Sequence, residues 1–171
     1  MINFRSYPKM TVCIIPSGVK LSGNNFSSKF QSMPNLKTCK ITASLDNIIN
    51  MNYTYSNCRN LTGSPMCGNN VINMYGTYNG CYKLNGSPVC GPNVIAMYET
   101  YQNCYSLTGS PVCGNKVISM YKTYFNCTKL TGSPVCGEKV TSMAGTYYNC
   151  RSLTGSPVCG NNVTDMDSTY Q

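Results

Sequence analysis

The chain contains twelve cysteines and no histidine, so the first question it raises is whether its thiols do chemistry. Ten of them recur at fixed steps. Cys58, Cys81, Cys104, Cys127 and Cys150 form one series; Cys67, Cys90, Cys113, Cys136 and Cys159 form another. Cys13 and Cys39 stand outside both. A structural zinc site needs four Cys or His ligands, usually with a close Cys-x-x-Cys pair. No such pair is present, so no metal site is expected. A disulfide scaffold belongs to exported proteins. Equivalent side chains stacked in parallel register would point the same way rather than at each other, against bridge geometry. The expectation is therefore small apolar thiols buried in the corners of a repeating structure.

Acid–base chemistry has little material. The carboxylates are Asp46, Glu99, Glu138, Asp165 and Asp167, and a general acid–base pair would have to be assembled from unrelated segments. The recurring Gly-Ser-Pro-x-Cys-Gly lacks the Gly-Lys-Ser/Thr ending of a phosphate loop. Nor is it the Gly-x-Ser-x-Gly of a nucleophile elbow. The residues point to a non-enzymatic protein with no catalytic residue and no cofactor.

Those motifs sit on a strict period. Leu61-Thr62-Gly63-Ser64-Pro65-Met66-Cys67-Gly68 recurs from Leu84, Leu107, Leu130 and Leu153, a step of 23 residues. Such a period marks a repeat architecture in which each unit buries its apolar face against the next. The rows are Ile48, Val71, Val94, Val117, Val140, Val163; Met51, Met74, Met97, Met120, Met143, Met166; and Tyr55, Tyr78, Tyr101, Tyr124, Tyr147, Tyr170. Val117, Met120 and Tyr124 fall at i, i+3 and i+7, one stripe on a helix or 3₁₀ turn. A short strand is expected at Ser106–Thr108 or Val112–Cys113, kept short by Pro111. A worn copy, Phe26, Phe30, Met33 and Leu36, extends the pattern upstream with a small insertion. The expected fold is a repeat solenoid of about six 23-residue coils, each a short β-strand plus a helical or 3₁₀ turn, over residues 23–171. Residues 1–22 are expected to form a β cap, with Thr11–Ile15 and Val19–Leu21 as a hairpin. Asn57, Asn103, Asn126 and Asn149 are expected to stack as an amide ladder that Gly80 interrupts.

What remains for function is the surface. Charged residues are only 11 % of the chain, and the +8 charge is scattered. Its polar groups are mainly Asn, Ser, Thr and Tyr, which suit neutral hydrogen-bonding partners; nucleic acid ranks below them. No apolar run is long enough to cross a membrane. The first residues lack the pattern of a secretory signal, so export by that route is not expected. Two rows are candidate binding surfaces. Tyr75, Tyr98 and Tyr121 follow the Met row by one and turn outward. Tyr82 and Tyr105 follow the Cys row, with Lys83 and Lys129 beside them and Arg151 further on. Tyr offers an apolar ring with a polar tip, suited to sugar rings or protein loops, although stacked Tyr would also simply shield the column. The last coil, at Thr169, Tyr170 and Gln171, is a candidate subunit contact.

The block Val117-x-x-Met120-x-x-Thr123-Tyr124-x-x-Cys127-x-x-Leu130 resembles the BspA-like branch of leucine-rich repeat proteins. That branch carries Val-Thr-x-Met-x-x-Met-Phe-x-x-Cys-x-x-Leu; here Thr replaces the second Met and Tyr replaces Phe. The resemblance implies a surface-displayed adhesion module. Together with the missing export signal, it leads to the expectation of a virion or cell-surface protein that recognises a glycan or a protein. A purely structural virion decoration, docked through its last coil, and a cytoplasmic interaction scaffold are the alternatives.

Overall fold

The computed structural model describes residues 3–156 and 158–171; residues 1 and 2 of the expected cap lie outside them. Successive coils lie over one another. Parallel bridges join Asn25 to Asn50, Asn50 to Asn73, Asn73 to Ala96, Ala96 to Ser119, Ser119 to Ser142, and Ser142 to Asp165. The first step is 25 residues and the later ones 23, which places the small insertion in the first coil. Each bridge residue immediately precedes Phe26 or a Met of the row, which is buried from Met51 to Met143 but opens to solvent at Met166 in the last coil.

The coil from Met120 to Cys127 shows how the backbone is satisfied. Met120, Lys122, Tyr124 and Asn126 donate their N–H groups to the carbonyls of Ser142, Ala144, Thr146 and Tyr148 in the next coil, at 2.9–3.0 Å. Thr123, Phe125 and Cys127 donate within the coil, to Met120, Lys122 and Tyr124. Tyr121 donates to Ser119 Oγ. Every N–H in this stretch thus has a partner, as a buried backbone requires. The result is two consecutive four-residue turns, Met120–Thr123 and Tyr124–Cys127, in place of a helix. Their third residues, Lys122 and Asn126, have φ of 49° and 63°. That left-handed backbone is what a type II turn demands. The other coils put Gly or Asn at many of these places, Asn57, Gly76, Gly80, Asn103, Gly145 and Asn149, where they cost least, but Tyr53, Glu99 and Ser168 hold the same left-handed backbone. The Asn/Gly exchange at residue 80 therefore preserves a conformation, whatever it does to the amide ladder. Two links of that ladder form, Asn126 to Asn103 at 2.8 Å and Asn149 to Asn126 at 2.9 Å.

The core is the column of Val, Met, Tyr, Cys and Leu rows, together with Phe26, Phe30, Met33 and Leu36. Phe30, Tyr55, Tyr78, Tyr101, Tyr124, Tyr147 and Tyr170 stack ring on ring, 5.1–5.7 Å apart and within 9° of parallel. Beside them run buried threonines. Thr77, Thr100, Thr123 and Thr146 each donate to a Met carbonyl one coil back, at 2.7–2.9 Å. That bond gives the hydroxyl a buried acceptor where the resembling pattern carries Met.

The segments expected to be strands are differently used. Val112 does not pair with a neighbouring coil: its N–H donates to the Tyr124 hydroxyl at 3.0 Å, and its carbonyl accepts from the same hydroxyl at 2.8 Å. Leu-Thr-Gly supplies isolated inter-coil bonds, such as Thr131 N–H to the Gly109 carbonyl at 2.9 Å.

The cap also corrects the expectation of a hairpin. Strand β1 (Val12–Ile15) pairs in parallel with β2 (Thr38–Ile41), in the register Val12 with Thr38 through Ile15 with Ile41. Residues 19–21 form no strand. A parallel pair needs a crossover of a dozen or more residues, and the first coil supplies it. Phe4, in a 3₁₀ turn over Phe4–Ser6, closes the column by stacking on Phe30 at 4.5 Å.

The cysteine expectation holds for one series only. Cys81, Cys104, Cys127 and Cys150 are buried and donate to Tyr carbonyls one coil back at 3.0–3.1 Å. Burial pushes the Cys150 thiol up to about 12. In the second series Cys67, Cys90, Cys113 and Cys136 are half-buried and Cys159 is exposed. They sit at the outer corner after Pro-x, and the thiols of Cys67, Cys90, Cys113 and Cys136 each lie against a glycine of the next coil. A Cβ on Gly91 would lie 2.9 Å from Cys67 Sγ, so the close approach of coils excludes a side chain there.

Candidate functional site

The outward rows are built by the same turns. Tyr75, Tyr98 and Tyr121 each occupy the second position of the first turn, the residue after the buried Met, and so point away from the column. Tyr98 is 40 % exposed; Tyr75 and Tyr121 are half-buried. The file is not a uniform stack. Tyr75 meets Tyr98 edge-on, at 5.9 Å and 69°. Tyr53 from the preceding coil lies 4.8 Å from Tyr75, a contact that sequence reasoning missed. Gly76 makes room for it: a Cβ there would stand 2.7 Å from the Tyr53 ring.

Tyr82 and Tyr105 form the second file, 5.2 Å apart at 45°. Tyr105 is 39 % exposed. The Arg59 guanidinium stands 5.6 Å from the Tyr82 ring centre, a cation–π contact that leaves its N–H groups free to bind. Lys83 and Lys129 are exposed beside this file. Arg151 is held at its end by Asn149, Nε to Oδ1 at 2.6 Å.

A third row lies between the two in chain order and was not anticipated. Asn79 donates to Gln102 Oε1 at 3.1 Å and to Glu99 Oε2 at 3.2 Å. Phe125 and Tyr148 stack at 4.6 Å and 5°. Lys122 Nζ joins this row to the first, 5.1 Å from the Tyr121 ring and 5.6 Å from Phe125. Tyr121 raises the pKa of this ammonium by hydrogen bonding. The residue after Phe125 is Asn126 of the amide ladder, whose ends reach Tyr105 through Asn103 and Arg151 through Asn149. Lys122 thus ties the first row to the third, while the amide ladder reaches the second row at Tyr105 and Arg151. The missed signal was the aromatic character of Phe125 and Tyr148, one period apart.

In the last coil Thr169 is buried, while Tyr170 and Gln171 are exposed. A further row, Ile49, Ile72, Ile95 and Ile118, lies open along the bridge positions, flanked by Asn47, Asn70, Asn93 and Lys116 around a groove of about 450 Å³. Among the described residues no three of His, Cys, Asp or Glu gather as a metal would require, and no helix is long and apolar enough to cross a membrane. Comparison with protein-family models, with curated proteins and with solved structures finds no match to this chain.

Proposed function

We propose that the chain is a leucine-rich-repeat-like solenoid of the BspA type. Its work is non-enzymatic binding, with the Tyr75–Tyr98–Tyr121 and Tyr82–Tyr105 rows taking a glycan or protein partner displayed on a cell surface or virion. The observation that carries this reading is the set of neighbouring outward aromatic rows with polar and cationic edges, Lys122 between Tyr121 and Phe125, Asn103 at Tyr105 and Arg151 at Asn149. Aromatic rings with polar tips and cations at the edges present the mixed apolar and hydrogen-bonding character that sugar rings and protein loops require. Arg59, Lys83, Lys129 and Arg151 surround the rings, and Glu99 is the carboxylate among them.

The reading is tested with a glycan array and a surface-protein capture assay, comparing the parent chain with Tyr98→Ala and Tyr105→Ala. Loss of a central aromatic anchor weakens binding by about 30-fold or more, with unchanged thermal midpoint because neither ring lies in the column. Capture that survives both substitutions overturns the assignment of this surface.

A further inference from the structure

The cap contains a cavity of about 550 Å³ lined by Phe4, Ile14, Ile15, Val19, Leu21 and Phe26, with Lys20 and Lys29 completing its wall. That volume lies within the ordinary range for small-molecule sites. Two of its apolar side chains are unusually open: Ile14 is 64 % exposed and Val19 is 43 % exposed. Single exposed apolar residues are common, but two opening into one concave wall mark a surface that gains by being covered.

The two charged residues that line the cavity, Lys20 and Lys29, have one sign. Arg5, Lys9, Lys20, Lys29, Lys37 and Lys40 all precede Asp46, the first carboxylate in the chain. Lys40 stands opposite Ile14 in the β1–β2 register. An anion placed here meets Lys20 and Lys29, and no acidic side chain is among the described residues of the lining.

We infer that this cavity binds a single-chain anionic amphiphile, its apolar tail among Ile14, Val19 and Phe26 and its carboxylate at Lys20 and Lys29. The site is separate from the tyrosine rows and does not depend on what they bind.

The test is calorimetric titration of the full chain with octanoate, decanoate and dodecanoate, each below its micelle concentration. Decanol and decyltrimethylammonium serve as the uncharged and cationic probes. Binding at one site should tighten by about four-fold per added methylene. Decanol should bind at least ten-fold more weakly than decanoate, and the cation not at all. In the K20Q/K29Q double variant, decanoate should fall to the affinity of the alcohol while near-ultraviolet circular dichroism stays that of the parent. Val19→Trp, which fills the cavity, should abolish binding of both. Absence of binding heat, equal affinity for carboxylate, alcohol and ammonium, binding only to anionic vesicles, or full decanoate affinity in K20Q/K29Q would each overturn the inference.

Discussion

The Tyr124 hydroxyl closes both ends of one peptide residue: it donates to the Val112 carbonyl at 2.8 Å and accepts from the Val112 N–H at 3.0 Å. Tyr78 does the same to Met66, Tyr101 to Val89 and Tyr147 to Val135. One phenol per coil thus replaces a strand ladder along the Gly-Ser-Pro-x-Cys edge. It also explains why a ring with a hydroxyl occupies the row that holds Phe in the resembling pattern.

Tyr124→Phe keeps the ring in the stack but leaves both Val112 groups unpaired. The expected loss is about 1–3 kcal/mol, measured as a lowered urea midpoint. Tyr105→Phe, outside the column, should leave the midpoint unchanged.

Asn126 holds a left-handed backbone at φ 63° and two links of the amide ladder. Asn126→Ala and Asn126→Gly both lose the ladder, but only alanine strains the turn. The alanine variant should be the less stable of the two by about 1 kcal/mol. Equal midpoints would show that the turn carries no such preference.

Burial pushes the Cys58 and Cys150 thiols up to about 12 and Cys67 up to about 11, from an ordinary value of 9.0. Cys81, Cys104 and Cys127 are raised by the same cause. A raised thiol pKa means that the folded chain binds more protons than the unfolded one between the two values. Stability is then fully present below pH 9 and falls as pH rises from 9 toward 12. Thermal midpoints should be level near neutrality and drop steeply above pH 9; a level profile to pH 11 would contradict the buried thiol column.

Thiol labelling should separate the two cysteine series. Cys159 is exposed and should react first, Cys67, Cys90, Cys113 and Cys136 more slowly, and Cys81, Cys104 and Cys127 only on unfolding. Mass spectrometry of a timed reaction reads the order directly.

The 23-residue period, with the apolar character of its rows, determined most of the buried column. Residues one period apart stand over one another in stacked coils, so a row of Val, Met, Tyr or Leu is inside together until the last coil, where Met166 and Tyr170 open to solvent. The upstream copy Phe26, Phe30, Met33 and Leu36 was legible for the same reason, and Phe30 does head the tyrosine stack. Only the tertiary structure decided how the backbone bonds. The spacing of Val117, Met120 and Tyr124 fits a helix and a pair of turns equally. The choice rests on N–H groups whose acceptors lie a whole coil away, beyond any local pattern. The parallel pairing of β1 with residues 38–41, the half-exposed second cysteine series and the Asn103–Asn126–Asn149 ladder likewise depend on contacts between coils, which no single repeat encodes.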